Sequence, residues 1–112
     1  MIDAHNGTSV GSIVTLNCDP RTGVFSYALD IAKPYRRKGY AEDAIRLIVA
    51  YYFRTLRFQK VNIAVHSDNK ASIHLHKKLG FKHEGSQRQT VYKHGRYYNL
   101  EWFGLTASDF SE

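Results

Sequence analysis

The hydrophobic positions of this chain change period several times, and each change marks an element. Val10 to Leu16 is rich in β-branched residues and reads as a strand. Asn6-Gly7 ahead of it is a turn signal, and Asp19-Pro20-Arg21-Thr22-Gly23 behind it has the residues of a hairpin loop. Phe25 to Ile31 alternates, with Phe25, Tyr27, Leu29 and Ile31 on one face, and Pro34 ends the strand. From Ala41 to Leu56 the period becomes helical. Ala44, Ile45, Leu47, Ile48, Tyr51, Tyr52 and Leu56 share a broad apolar arc, opposite Glu42, Asp43, Arg46 and Arg54. Val61 to Val65 is short and apolar enough to be a central strand. A second helix spans Asn69 to Leu79, stopped by Gly80. Phe81 to Glu84, Gln87 to Tyr92 and Tyr97 to Leu105 read as strands, the last two flanking a Lys93-His94-Gly95-Arg96 turn.

The resulting order, β-β-α-β-α-β-β-β, predicts one α/β domain around a mixed sheet, residues 1–112. The strand–helix–strand unit from Phe25 to Val65 should cross over right-handed, which makes its two strands parallel. Ligands of such sheets bind beyond the carboxyl ends of the strands.

Composition sharpens the picture in three places. The chain has 112 residues, 43% of them apolar and 13% aromatic, which fits a globular domain with a real core. Sixteen Lys and Arg against ten Asp and Glu give a net charge of +6, which favours an anionic partner. Cys18 stands alone, so no disulfide framework is expected and the setting should be the cytoplasm. The first residues lack the regions of a signal peptide, and no apolar run reaches membrane-spanning length, so no membrane partner is expected.

The candidate chemistry begins at Arg36-Arg37-Lys38-Gly39-Tyr40-Ala41, between the second strand and the first helix. A glycine turn that opens a helix presents unpaired amides at the positive end of the helix dipole, and three cations strengthen it. It suits a phosphate-bearing ligand. On the second helix Asn69, Ser72, Ile73 and His76 share a stripe, because steps of three, four and seven residues return to one face. Asn69 reads equally as a plain N-cap, and His76 as a satisfied boundary histidine.

With Leu29-Asp30-Ile31, the cationic turn and the run from Asn69 to Gly80-Phe81, the chain resembles the GNAT superfamily of N-acetyltransferases from about Val10 to Leu105. Gly85 and Gly95-Arg96-Tyr97 resemble the branch that acetylates protein N-termini, polyamines and small amines. The resemblance implies a GNAT-like, mostly antiparallel mixed sheet with flanking helices, and acetyl transfer from acetyl-CoA to a primary amine. It implies that the backbone of Leu29 and Ile31 pairs with the pantetheine arm as an added strand. It further implies that amides from Arg37 through Lys38, Gly39, Tyr40 and Ala41 to Glu42 cradle the pyrophosphate, that Arg36 adds charge, and that Asn69 holds the arm. His76 stands where many relatives carry a tyrosine thought to protonate the departing thiolate. Asn99 stands where many have aspartate.

No general base is evident. Asp30, His66, Glu84 and Glu101 are each expected to be structural or exposed, and the histidines form no metal site with Cys18. Tyr27, Tyr92 and Tyr97 are candidates for shaping the acceptor pocket. Family members usually have a strand and two helices before the strand placed at Val10, so a truncated copy or a partner that supplies the missing wall is expected. That motivates a second reading, a domain that binds CoA or pairs with another chain, as in a homodimer, without turnover. A third is a basic nucleic-acid or ribosome-binding module using Arg36, Arg37, Lys38, Lys77 and Lys78, against which stands the lack of a long basic stripe or nucleic-acid motif.

Overall fold

The computed structural model describes residues 2–3, 9–31 and 39–110. Asn6, Gly7, Pro34, Arg36, Arg37 and Lys38 lie outside the described residues.

Strand β1 (Ile2–Asp3) pairs antiparallel with β2 (Ser9–Asp19), a pairing the sequence pattern does not announce. β2 turns back into β3 (Val24–Ile31) through the expected hairpin loop, closed by Gly23 N–H donating to the Asp19 carbonyl at 2.8 Å. Asp19 also accepts from Arg21 N–H through its side chain at 3.0 Å, the local turn chemistry expected of aspartate. Helix α1 (Tyr40–Ala50) crosses to β4 (Lys60–His66), which lies parallel to β3 as expected. Helix α2 (Lys70–Lys78) then leads to a long antiparallel hairpin of β5 (Lys82–Lys93) and β6 (Arg96–Thr106). The sheet order is β1-β2-β3-β4-β6-β5, mixed and mostly antiparallel as expected.

Two expectations change. The separate strands at Phe81–Glu84 and Gln87–Tyr92 are one strand, β5, with register shifts between His83 and Gly85 and between Gln87 and Val91. Bulges break the side-chain alternation, which is why the pattern reads as two pieces. The second shift is held by Gln89 N–H donating to the Asn99 side-chain oxygen at 3.1 Å. At the hairpin tip His94 and Gly95 both have positive φ, 53° and 76°, as a two-residue turn matched to strand twist requires.

The second change concerns the first helix. After Ala50 the backbone widens into one π-helical turn, Tyr51–Thr55, with Leu56 N–H reaching back to the Tyr51 carbonyl at 3.1 Å. The buried face is Ala44, Ile45, Val49 and Phe53, whereas Leu47 is 74% exposed and Tyr51 and Leu56 lie largely outside. The sheet covers a narrower arc than the apolar residues span, so the Leu47–Tyr51 ridge, one turn apart, points away from it. The core is built on Phe25, Val49, Val61 and Phe103, each almost wholly buried, with Phe25 stacked on Tyr52 at 4.3 Å.

Candidate functional site

β3 and β4 run side by side but pair only at Val24↔Lys60 and Phe25↔Val61. Those pairs are anchored by Gly23, whose carbonyl accepts from Gln59 N–H at 2.7 Å and Lys60 N–H at 3.1 Å. Beyond Phe25 and Val61 the described strands part. In backbone terms, residues 27–31 on one side and 63–65 on the other therefore flank an opening in that ladder, at the carboxyl ends of two parallel strands. This is where open α/β sheets take ligands.

Both helices begin beyond that opening. Gly39 precedes α1 at φ +84°, a left-handed conformation that glycine reaches without steric cost. The first i-to-i+4 bond of α1 runs from Asp43 N–H to the Gly39 carbonyl at 3.1 Å, so Tyr40, Ala41 and Glu42 form the turn ahead of the helical ladder. The Glu42 carboxylate accepts from Lys78 at 3.0 Å and from Arg46 at 3.4 Å. Lys78, and behind it Arg46, hold its pKa below the usual carboxylate range. The Lys78 contact ties the end of α2 to the start of α1.

Asn69 caps α2, its side-chain oxygen accepting from Ser72 N–H at 3.2 Å. The loop ahead of it is fixed to β6: Ser67 N–H donates to the Asn99 carbonyl at 2.9 Å, and Asn99 N–H donates to Ser67 Oγ at 3.0 Å. Lys93 adds an ion pair to Asp68 at 2.9 Å and lowers the pKa of that carboxyl group. Asn99 therefore joins this loop to the β5 bulge.

His76 is not at a boundary. It is 4% exposed and packs edge-on against Phe81 at 5.0 Å. Its Nδ1 lies 2.8 Å from the Ser72 carbonyl and its Nε2 2.7 Å from the Tyr27 hydroxyl. A carbonyl can only accept, so Nδ1–H donates to Ser72 and Nε2 accepts from Tyr27. Burial lowers the His76 pKa, opposed by the Ser72 carbonyl, and burial pushes the Tyr27 phenol far above its ordinary value.

Leu29 and Ile31 thus lie on β3, Gly39, Tyr40, Ala41 and Glu42 at the start of α1, and Asn69 at the cap of α2, while His76 on α2 meets Tyr27 of β3. The sequence does not reveal that link between Tyr27 and His76. The residues share no motif, although the lone tyrosine on an apolar strand face is a signal, since a buried hydroxyl needs a partner. Tyr92 and Tyr97 are elsewhere, paired at 5.0 Å on the exposed hairpin tip. His66, Glu84 and Glu101 are engaged respectively by Lys93, by Lys60, and by Ser86 with His83. Among the described residues no cluster of three or more His, Cys, Asp or Glu could hold a metal, and no helix is long and apolar enough to cross a membrane.

Comparison with known proteins points the same way. A family profile described as an acetyltransferase (GNAT) domain matches residues 1–82. The SPbeta prophage-derived uncharacterized N-acetyltransferase YokL of Bacillus subtilis (strain 168) is 44% identical over 101 residues, 90% of this chain and 57% of that protein. Spermidine N(1)-acetyltransferase of Escherichia coli (strain K12) is 33% identical over 65% of this chain and 39% of that protein. A crystal structure of a probable acetyltransferase superposes with a TM-score of 0.87 at 27% identity, covering 94% of this chain and 59% of that one. The chain therefore spans little more than half the length of YokL and less of the spermidine enzyme.

Proposed function

Because this chain belongs to the GNAT acetyltransferase domain family, we propose that it moves an acetyl group from acetyl-CoA to a primary amine. The observation that carries this reading is the early end of the β3–β4 ladder, which leaves strand edge available to an extended ligand arm. In this reading the backbone of Leu29 and Ile31 receives the pantetheine arm and Asn69 holds it. Amides of residues 37–42, helped by the charge of Arg36, receive the pyrophosphate. Backbone N–H groups near Leu29 to Ile31 stabilise the oxyanion formed when the amine adds to the thioester. His76 serves the proton that the departing thiolate needs. The acceptor is a small polyamine or a protein N-terminus, the former supported by the likeness to spermidine acetyltransferases. The setting is the cytoplasm.

Calorimetry should show CoA binding at micromolar levels. Thiol release should be screened across polyamines, amino acids, aminoglycosides and N-terminal peptides. Failure to bind CoA would sink the proposal.

A second reading is favoured by one observation: Leu47, Tyr51, Val14 and Leu16 are large apolar side chains left exposed on α1, the π-helical turn after it and β2. They suit a domain that binds CoA and pairs with another chain, such as a second copy, without turnover. Light scattering that finds only monomer, together with measured amine acetylation, rules it out.

A further inference from the structure

The hydrogen bonds around His76 leave an apparent difficulty. A neutral imidazole whose Nδ1–H is committed to the Ser72 carbonyl and whose Nε2 already accepts from Tyr27 has no free proton to give a thiolate. The imidazole is the more enclosed of the two, 4% exposed against 7% for Tyr27. Among the described residues the hydrogen-bond and ring partners of His76 are Tyr27 from β3, Ser72 from its own helix and Phe81, none of them charged. The group of the pair that can exchange protons with a third party is the Tyr27 hydroxyl. Its oxygen keeps a lone pair after donating to Nε2. Tyr27 stands two residues past Phe25, where β3 leaves β4, so it belongs to the strand that borders the opening.

We propose that Tyr27 and His76 work as one proton-carrying unit, the phenol exchanging protons with the reacting groups and the imidazole storing the proton between the two halves of the transfer. This rests on the acetyl-transfer reading above. An amine that arrives as ammonium first loses one proton to water. Its nitrogen lone pair then forms the C–N bond to the thioester carbon, and the carbonyl electron pair moves to oxygen. The adduct's N–H proton passes to Tyr27 Oη as the hydroxyl's own proton passes to His76 Nε2. The imidazolium so formed keeps its Nδ1–H on the Ser72 carbonyl. When the oxygen electron pair re-forms the carbonyl, the C–S bond breaks and its pair stays on sulfur. Nε2–H then returns to Oη as the Oη proton passes to sulfur. Amide and thiol leave, and both side chains are restored. One pair serves as base and then as acid.

The test is a double-mutant cycle with a spectroscopic arm. Tyr27→Phe keeps the ring and removes the hydroxyl alone. It should lower kcat by about 10²-fold, the usual reach of general acid–base catalysis, with CoA affinity within about 3-fold of wild type. His76→Phe should do the same, and the double variant should be no slower than the slower single, because either change breaks the unit. A wild-type kcat in Tyr27→Phe, or losses that multiply in the double variant, overturns the proposal while acetyl transfer stands. Absence of thiol release by the wild type with every amine tried overturns both readings. Independently of turnover, ¹⁵N resonances of the resting protein should show His76 protonated at Nδ1 and bare at Nε2, with the Nε2 signal moving in Tyr27→Phe. A proton found on Nε2 overturns the unit even in an active enzyme.

Discussion

Gly39 allows backbone strain and ligand charge to be separated by two substitutions. The residue sits at φ +84°, and a Cβ built on it would meet none of the described residues within 4 Å. Any penalty for Gly39→Ala is therefore conformational, about 1–2 kcal/mol for an L-residue in the left-handed region. At roughly 2.1 cal/mol/K of unfolding entropy per residue, 112 residues give about 0.24 kcal/mol/K, so Tm should fall by about 4–8 °C. Aspartate tolerates this region better than alanine, so Gly39→Asp should cost no more stability. Binding should order the two variants the other way. A carboxylate about 4–5 Å from a phosphate at an effective dielectric near 20 is repelled by about 3–4 kcal/mol. Exposure and salt reduce this. Calorimetry should show CoA affinity weakened about 10- to 100-fold by Asp, about 3-fold or less by Ala, with the gap narrowing at high salt. Equal affinities in the two variants would refute the claim that this turn faces an anion. An Ala variant with wild-type Tm would refute the strain argument.

Two further outcomes follow from the site. Burial lowers the His76 pKa below its ordinary 6.5, so the unfolded chain takes up the proton first. Stability present above pH ~6.5 is then lost as pH falls toward the folded value, by at most about 1.4 kcal/mol per pH unit. Urea melts at pH 7.5 and 5.5 should show this in the wild type and a flatter response in His76→Gln, and a wild type equally stable at both would contradict the linkage. Asn69→Ala removes the cap on Ser72 N–H and should cost about 1 kcal/mol in chemical denaturation. If it also weakens CoA binding more than about 10-fold, the side chain serves ligand as well as helix, whereas unchanged affinity leaves it a cap alone.

Periodicity located both helices and the tight hairpin, because each follows from local rules acting within a few residues, and the strand–helix–strand order then implied the parallel pairing of β3 with β4. What it missed depends on long-range partners. The bulges in β5 need Asn99 from the next strand, and no reading of Gln87 to Val91 alone contains that residue. Val49 and Phe53 are buried while Leu47 is not, a choice made by the position of the sheet rather than by hydrophobicity. In the candidate site the local geometry was legible where it rests on one segment, as with Gly39 ahead of α1 and Asn69 capping α2. Tyr27 and His76 are 49 positions apart, and their meeting is a property of the packed chain.

The two-rung seam between β3 and β4 divides the sheet into two leaves, each nearly contiguous in the chain. Residues 60–106 form one leaf through the broad contacts of β4, β5 and β6, and β2 with β3 forms the other. Neither leaf needs the other's backbone to complete its own ladders, and what joins them beyond the two rungs is the shared core, where Phe25 and Tyr27 pack in one cluster with Val61 and Phe103. A ligand lodged between them would act as the missing rungs, and amide exchange in both leaves would slow together when it binds.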